Sequence, residues 1–176
     1  MNPTPYPDQG LELILGGARS GKSRLAEIRA LESGRPPHYI ATATAGDAEM
    51  AERIHHHQAR RGAEWHAVES PLRLADTLLD LHSDDRCLLV DCLTLWLSNC
   101  LHHGCWPEER EALLKAAGQL RGRVILVSNE VGSGIVPLGE LSRRFADESG
   151  RLHQQLAQLA RRVTLVVAGL PLELKG

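Results

Sequence analysis

The stretch Gly16-Gly-Ala-Arg-Ser-Gly-Lys-Ser23 constrains this sequence more than any other segment does. It matches the pattern G-x4-G-K-[ST], and it stands between an apolar run and a segment with helical periodicity. Glycine permits a positive φ and lets backbone N–H groups close around an anion. A helix that follows points its positive N-terminal end towards the same anion. The segment therefore predicts a strand, a phosphate-binding turn and a helix, in that order.

Each residue of this P-loop has an expected part in binding a nucleoside triphosphate and its metal ion. The candidate nucleotide-binding residues of the loop are Gly16, Gly17, Ala18, Arg19, Ser20, Gly21, Lys22 and Ser23. Lys22 is expected to reach the β- and γ-phosphates, and the Ser23 hydroxyl to bind Mg²⁺. A strand-end carboxylate usually completes such a magnesium site, and Asp91 follows an apolar run. Strands also end in Asp for turn reasons alone, so this assignment depends on the P-loop.

Apolar runs alternate with longer amphipathic segments along the chain, which is typical of strand–helix units around a mainly parallel sheet. The predicted strands are 11–15, 38–42, 64–68, 87–90, 124–128 and 163–168, with 170–175 as a short edge strand. The predicted helices are 22–32, 47–61, 71–81, 93–102, 107–120 and 138–161, the last with a break near Gly150. Continuous apolar strands favour helices on both faces of the sheet. We expect a flexible leader, 1–10, and one α/β domain, 11–176.

Composition argues against several classes of protein. The formal net charge of −2 gives no global electrostatic reason to expect a nucleic-acid or anionic membrane partner. No apolar run approaches the ~20 residues of a transmembrane helix, and no signal-peptide pattern is present, so we expect a cytoplasmic protein without stable membrane insertion. Cys87, Cys92, Cys100 and Cys105 are expected to be reduced and mostly buried. The segment from Cys100 to Cys105 also contains two histidines, which leaves a zinc site as an alternative.

A run of three histidines, His55-His56-His57, lies in the predicted helix 47–61. At 100° per residue, His56 points away from the apolar face that contains Ile54, whereas His57 lies near that face. A neutral imidazole can attack phosphorus without a separate base. Arginines that would steady phosphate charge are close in sequence, at Arg53, Arg60 and Arg61. A solvated polar face, a chance metal site and packed core histidines stay open, and together they outweigh catalysis on periodicity alone.

Several segments, taken in order, resemble one family of enzymes. They are the P-loop, Tyr39-Ile-Ala-Thr42, Glu49-Met-Ala-Glu-Arg-Ile54 with His56-His57, Asp91-Cys-Leu-Thr-Leu-Trp-Leu-Ser-Asn99, Ser128-Asn-Glu-Val-Gly-Ser-Gly-Ile-Val-Pro137 and Ser149-Gly-Arg. Together they resemble the bifunctional adenosylcobinamide kinase/adenosylcobinamide-phosphate guanylyltransferases of cobalamin biosynthesis. The likeness extends from about Leu11 to Lys175, and the part from Asn129 to Pro137 is highly specific to that family.

The resemblance implies a RecA-like P-loop fold, a homotrimer and two reactions. In the first reaction, ATP or GTP phosphorylates the hydroxyl of the aminopropanol arm of adenosylcobinamide. In the second, GMP passes from GTP to that phosphate, giving adenosyl-GDP-cobinamide and pyrophosphate. The implied ligands are therefore adenosylcobinamide, its phosphate, GTP, ATP and Mg²⁺. Two alternatives lack guanylyl transfer: a P-loop kinase of another small metabolite, and a nucleotide-dependent switch protein.

The family's guanylylated histidine falls on His56 in this sequence. The implied nucleotide contacts beyond the P-loop are Ala41, Thr42, Ala43, His57, Arg60, Arg61, Glu69 and Asp91. Lys22 is the second candidate catalytic residue, since it would stabilise the departing pyrophosphate. Glu130 is a candidate base or metal-shell residue for the kinase step, and a packing or turn role fits it as well. The chain departs from the usual family pattern at His55, at His153, where asparagine is common, and at Ala43, where serine is common.

Overall fold

The structure is a computed structural model that describes residues 9–44 and 61–176, together with Ala48, Glu52 and Ala59. Within these residues the chain forms seven strands and five helices. In chain order they are β1 (Gly10–Gly16), α1 (Lys22–Glu32), β2 (Pro37–Ala41), β3 (His66–Glu69), α2 (Leu74–Leu81), β4 (Cys87–Asp91), α3 (Leu93–His102), α4 (Trp106–Ala117), β5 (Arg123–Asn129), α5 (Glu140–Leu159), β6 (Arg162–Val167) and β7 (Leu170–Lys175).

The described strands form one sheet, in the order β3-β2-β4-β5-β1-β6-β7. Neighbouring strands are parallel except β6 and β7, which form an antiparallel hairpin. The hairpin turn consists of Ala168 and Gly169, with φ values of 51° and 78°. The carboxyl ends of the parallel strands therefore meet at one edge, the place where open parallel sheets bind their ligands.

Helices cover both faces of the sheet, which confirms the predicted α/β arrangement. Side chains alternate between the faces along each strand, so Leu13 and Ile14 belong to different cores. The larger core lies between the sheet and helices α2 to α5, and Trp96 at its centre is fully buried. The smaller core lies under α1, which contributes Ala26 and Ala30. Helix α1 therefore lies on the opposite face of the sheet from helices α2 to α5.

Most predicted strands and helices are confirmed to within two or three residues. The predicted break near Gly150 is wrong, because α5 is continuous through it. A glycine inside a helix costs about 1 kcal/mol relative to alanine. Burial of Leu152 and Leu156 on the next turns outweighs that cost, since each buried leucine contributes about 1.5–3 kcal/mol. Strand β3 begins at His66 rather than at residue 64. It is a short, mostly exposed edge strand, so its apolar pattern is weak.

Two other predictions concern segments that the structure describes in part. The predicted helix 47–61 lies mostly outside the described residues, and Ala48, Glu52 and Ala59 within it are helical. The predicted leader overlaps β1 by one residue, at Gly10. Among the described helices, none has the length and apolar character needed to cross a bilayer.

The cysteines are free thiols, as predicted: Cys87, Cys92 and Cys100 are buried, and Cys105 is half-buried. No described group of three or more His, Cys, Asp or Glu side chains is arranged to hold a metal ion. The alternative of a zinc site between Cys100 and Cys105 therefore finds no support in the described part of the chain.

Candidate nucleotide-binding site

The P-loop leaves β1 at Gly16 and enters α1 at Lys22 through a compact turn. The Ser20 N–H donates to the Gly17 carbonyl at 3.2 Å. Arg19 and Gly21 have positive φ values of 55° and 97°. The exposed outer residues of the loop are Gly17, Ala18, Arg19 and Gly21. These residues present their backbone to solvent at the carboxyl edge of the sheet, as a phosphate-binding loop requires.

Two glycines of the loop are needed for close packing as well as for backbone conformation. A Cβ on Gly16 would collide with the Ser20 hydroxyl and would lie 2.7 Å from the Val166 carbonyl oxygen. A Cβ on Gly21 would lie 3.2 Å from the Cα of Gly169, at a φ that favours glycine. The Gly169 N–H also donates to the Ser20 carbonyl at 2.8 Å. The β6–β7 turn therefore packs against the P-loop and stabilises its conformation.

Lys22, the first residue of α1, is a buried cation that makes one hydrogen bond to the described residues. Its side chain is 8% exposed, and Nζ donates to the Gly17 carbonyl at 3.0 Å. Burial lowers the pKa of Lys22, while the nearby Asp91 carboxylate and Cys92 act in the opposite direction. An ammonium group has three donors, and a single bond to the described residues leaves the others for a ligand. A phosphate oxygen beside the loop would supply both the missing acceptor and the missing negative charge.

The ends of three neighbouring strands bring further predicted site residues into a row. Ala41, at the end of β2, is in register with Glu69 of β3 on one side and Asp91 of β4 on the other. Glu69 is exposed and Asp91 is half-buried. The structure therefore brings Ala41, Glu69 and Asp91 together at the carboxyl edge of the sheet that also carries the P-loop.

Thr42 has a structural role that the sequence did not indicate. Its side chain is fully buried, and Oγ1 donates to the Cys92 carbonyl at 2.6 Å and accepts the Cys92 N–H at 3.0 Å. The Thr42 carbonyl accepts a hydrogen bond from Asn99 Nδ2 at 2.9 Å. Thr42 thus ties β2 to the chain just beyond Asp91, and its hydroxyl is already engaged. The half-buried Ala43 follows it at the same edge.

Sequence reasoning missed Tyr39 as a site residue. Its hydroxyl donates to Asp91 Oδ2 at 3.0 Å, and the Arg61 Cζ lies 3.4 Å from the centroid of its ring. The signal was present in the strand period, since Tyr39 and Ala41 lie two residues apart and therefore on one face of β2. Arg61, predicted to contact nucleotide, lies against this tyrosine in the structure.

The segment after β5 passes beside the P-loop. The Glu130 N–H donates to the Gly16 carbonyl at 2.9 Å, and Glu130 Oε1 accepts the Gly132 N–H at 2.7 Å. The Ser133 hydroxyl and the backbone N–H groups of Gly132 and Ser133 hold the pKa of the Glu130 carboxyl below its usual range. The Glu130 carboxylate is therefore bonded within its own turn.

His153, at a position where the family often has asparagine, has a partner in the sheet. Its Nε2 lies 2.7 Å from the Ser128 Oγ. Burial lowers the pKa of His153, and the charge of Glu130 opposes that shift. The histidine therefore preserves a buried polar contact between α5 and β5.

The remaining predicted residues concern the metal ion and the histidines. Ser23 and Asp91 supply a hydroxyl and a carboxylate at the same edge of the sheet, and magnesium prefers such oxygen ligands. The donor set thus fits the predicted Mg²⁺ site. His56, His57 and Arg60 lie outside the described residues, so their predicted roles stay predictions.

Comparison with known proteins gives a consistent picture. A family model described as cobinamide kinase / cobinamide phosphate guanyltransferase matches residues 12–174. The bifunctional adenosylcobalamin biosynthesis protein CobP of Pseudomonas aeruginosa is 61% identical over 168 residues, which cover 94% of this chain and 97% of the relative. The bifunctional adenosylcobalamin biosynthesis protein CobU of Salmonella typhimurium is 41% identical over 182 residues, which cover 93% and 98%.

Solved structures of distant sequence share the fold. One of them, an ATPase domain, is 15% identical, with a TM-score of 0.50 over 91% of this chain and 70% of that chain. The flagellar accessory protein FlaH from Methanocaldococcus jannaschii is 11% identical, with a TM-score of 0.51 over 94% and 78%. These likenesses concern the fold alone, and they confirm the predicted RecA-like P-loop architecture. The chain therefore belongs to the cobinamide kinase / cobinamide phosphate guanyltransferase family, and the prediction that it is an enzyme is confirmed.

Proposed function

We propose that this enzyme phosphorylates the aminopropanol hydroxyl of adenosylcobinamide and then transfers GMP from GTP to the product, giving adenosyl-GDP-cobinamide. The observation that carries the proposal is the placement of Lys22. Among the described residues this buried cation bonds to the Gly17 carbonyl alone, which leaves donors for a ligand, and Asp91 lies at the same edge of the sheet. Membership in a family described by both reactions supplies the substrates.

In the kinase step, the P-loop N–H groups and Lys22 bind the β- and γ-phosphates of ATP or GTP. The acceptor hydroxyl oxygen attacks the γ-phosphorus, the bond to the β-phosphate oxygen breaks, and the nucleoside diphosphate leaves. The hydroxyl proton passes to solvent or to a base, and Glu130, whose backbone N–H bonds to the P-loop at Gly16, is the candidate base that the sequence offers. Mg²⁺ held by Ser23 and Asp91 would neutralise negative charge on the phosphates.

In the transfer step, a ring nitrogen of His56 attacks the α-phosphorus of GTP, and the bond to pyrophosphate breaks. Lys22 and the loop N–H groups stabilise the departing pyrophosphate. A phosphate oxygen of adenosylcobinamide phosphate then attacks the same phosphorus, the P–N bond breaks, and His56 is free again. The family resemblance assigns this role to His56, and the helical periodicity of the sequence predicts that His56 points away from the apolar face. Arg60 and Arg61 are close enough in sequence to bind the phosphate charge.

We also propose that three copies assemble, as the resemblance implies, and that they do so in the cytoplasm, as expected from the sequence. A run of large apolar side chains between β5 and α5 supports an interface. Ile135 and Leu138 are each 97% exposed, and Val136 is 72% exposed. Large apolar side chains exposed close together in the chain often mark a protein–protein contact. Sedimentation should give about three times the 19.3 kDa chain mass, and a stable monomer would contradict the trimer.

The substrate assignment is tested by incubating the protein with adenosylcobinamide and γ-³²P-ATP. We expect label on the corrinoid, and its loss in Lys22→Ala. Unlabelled GTP added afterwards should convert the labelled product to adenosyl-GDP-cobinamide with release of pyrophosphate. An enzyme that binds ATP and leaves adenosylcobinamide unlabelled would contradict the proposal and favour a kinase of another metabolite.

A further inference from the structure

Tyr39 reaches the strand-end carboxylate through the geometry of the sheet. In the parallel pair of β2 and β4, Ala41 is in register with Asp91 and Tyr39 with Leu89. Residues two apart share a face, so the side chains of Tyr39 and Asp91 both lie on the α1 side of the sheet. The tyrosine ring extends along the strand, and its hydroxyl donates to Asp91 Oδ2 at 3.0 Å.

The tyrosine ring is held in place on two sides. Tyr39 is 5% exposed, and the Arg61 guanidinium lies 3.4 Å from the centroid of its ring. Trp65 packs against the ring edge, with centroids 6.1 Å apart and planes at 80°. Such stacked and edge-on contacts restrict the ring to one orientation. The hydroxyl therefore points at Asp91 before any nucleotide arrives.

Lys22 is a second electrostatic neighbour of Asp91. The ammonium group of Lys22 bonds to the P-loop and interacts electrostatically with the Asp91 carboxylate. The Tyr39 hydroxyl is the donor in its bond to Asp91, since an ionised carboxylate can only accept. One carboxylate oxygen is thus bound by Tyr39, and the other oxygen can serve the metal and its nucleotide.

We propose that Tyr39 is a positioning residue for both reactions: its hydroxyl orients Asp91 for the metal-bound nucleotide, and Arg61 holds its ring. The inference rests on the proposed function, because the metal role of Asp91 belongs to it. Partners that orient metal-binding carboxylates typically contribute 10- to about 100-fold to metal affinity or activity. The hydroxyl of Tyr39 is therefore expected to act on the magnesium-dependent part of nucleotide binding.

The test is Tyr39→Phe, which removes only the hydroxyl. The affinity of a fluorescent GTP analogue is measured with excess Mg²⁺ and again with EDTA. We expect the affinity in EDTA to stay within about twofold, while the gain produced by Mg²⁺ falls about tenfold. Tyr6→Phe, the same substitution at the chain's other tyrosine, is the matched control and should retain the gain.

A double-mutant cycle with Asp91→Asn separates positioning from general damage. If Tyr39 acts through Asp91, Tyr39→Phe adds no further loss to Asp91→Asn. Equal losses in Mg²⁺ and EDTA, or a full additional loss in the Asp91→Asn background, would overturn the positioning role. An Asp91→Asn variant that keeps the whole Mg²⁺ gain would instead refute the metal assignment in the proposed function. A normal gain in Tyr39→Phe, with the gain lost in Asp91→Asn, would refute the Tyr39 inference alone.

Discussion

Helix α1 carries two buried basic side chains whose surroundings differ. Arg29 donates to Thr164 at 2.8 Å, to Glu173 at 2.6 Å and to Glu12. Lys22, two turns earlier, bonds to one backbone carbonyl of the P-loop. Both lie on the same face of the same sheet, one over its amino half and one at its carboxyl edge.

The two surroundings also differ in charge balance. Glu12 is fully buried, and it pairs with Arg29 and with Arg123 from β5. Burial alone would lower the pKa of Arg29, but Glu12 and Glu173 raise it above its usual value. For Lys22 burial prevails and its pKa is lowered. A buried charge with complete partners stabilises the fold, whereas a buried charge with unused donors indicates a ligand site.

Glu12, Arg29, Arg123 and Glu173 form a cluster of paired charges, called the paired cluster here. The largest effect, a loss of stability, is expected from Glu12→Gln, which breaks this cluster. The substitution leaves Arg29 and Arg123 buried with less negative charge, which typically costs about 3–5 kcal/mol in the free energy of unfolding. Denaturant unfolding measures the loss. Glu32→Gln, on an exposed position of α1, is the control and should change stability by less than about 0.5 kcal/mol. A loss below about 1 kcal/mol for Glu12→Gln would contradict the structural role of the cluster.

For Lys22→Met we expect the opposite of the Glu12→Gln result: the kinase rate falls and the stability does not. The variant removes a cation from the phosphates, so the kinase rate should fall by about 10²- to 10³-fold. Its free energy of unfolding should stay equal or rise, because a poorly paired buried ammonium is replaced by an apolar side chain. The exposed Lys115→Met should leave both quantities unchanged. A Lys22→Met protein that is active and unstable would reverse the comparison between Lys22 and Arg29.

The contrast explains what the sequence could predict. The P-loop and the strand ending at Asp91 could be predicted because the local sequence pattern determines them. The partners of Arg29 were not, since Glu173 lies 144 residues away in sequence. A glutamate inside the apolar run of β1 was the one local signal of that cluster. Thr42 and Tyr39 were read as part of a family motif, and their hydrogen bonds depend on strand register, which the sequence does not specify.

A smaller effect is expected from acid at the edge of the paired cluster. Burial would raise the pKa of Glu173, but hydrogen bonds from Arg162, Arg29 and Thr164 lower it from 4.5 to about 2. The stabilisation is therefore present above pH 4.5 and is lost as the pH falls towards 2. Because the carboxylate is partly solvated, Glu173→Gln should cost about 1 kcal/mol at neutral pH.

Unfolding measured across that pH window checks the role of Glu173. Glu173→Gln should flatten the acid-side dependence of stability, while Glu32→Gln should keep it. An unchanged slope in Glu173→Gln would show that other carboxylates account for the acid sensitivity.

The smallest effect is expected from Glu130→Gln, which tests a third kind of charged group. Its carboxylate is satisfied within its own turn, and its lowered pKa makes it a weak base. The amide oxygen of Gln can still accept the Gly132 N–H, so kinase turnover should fall by only about two- to fivefold. A loss of about 10²-fold or more in kinase turnover, with normal ATP affinity, would instead identify Glu130 as the general base.

The proposed guanylyl transfer requires a covalent guanylyl-histidine on His56. The protein is incubated with α-³²P-GTP and Mg²⁺, quenched under denaturing conditions, and compared with His56→Ala, His55→Ala and His57→Ala. We predict an acid-labile, alkali-stable label on the wild type that is lost in His56→Ala and retained in His55→Ala, with His57→Ala retaining it at a reduced level. Absence of label from a wild type that binds GTP, or its persistence in His56→Ala, would contradict the claim.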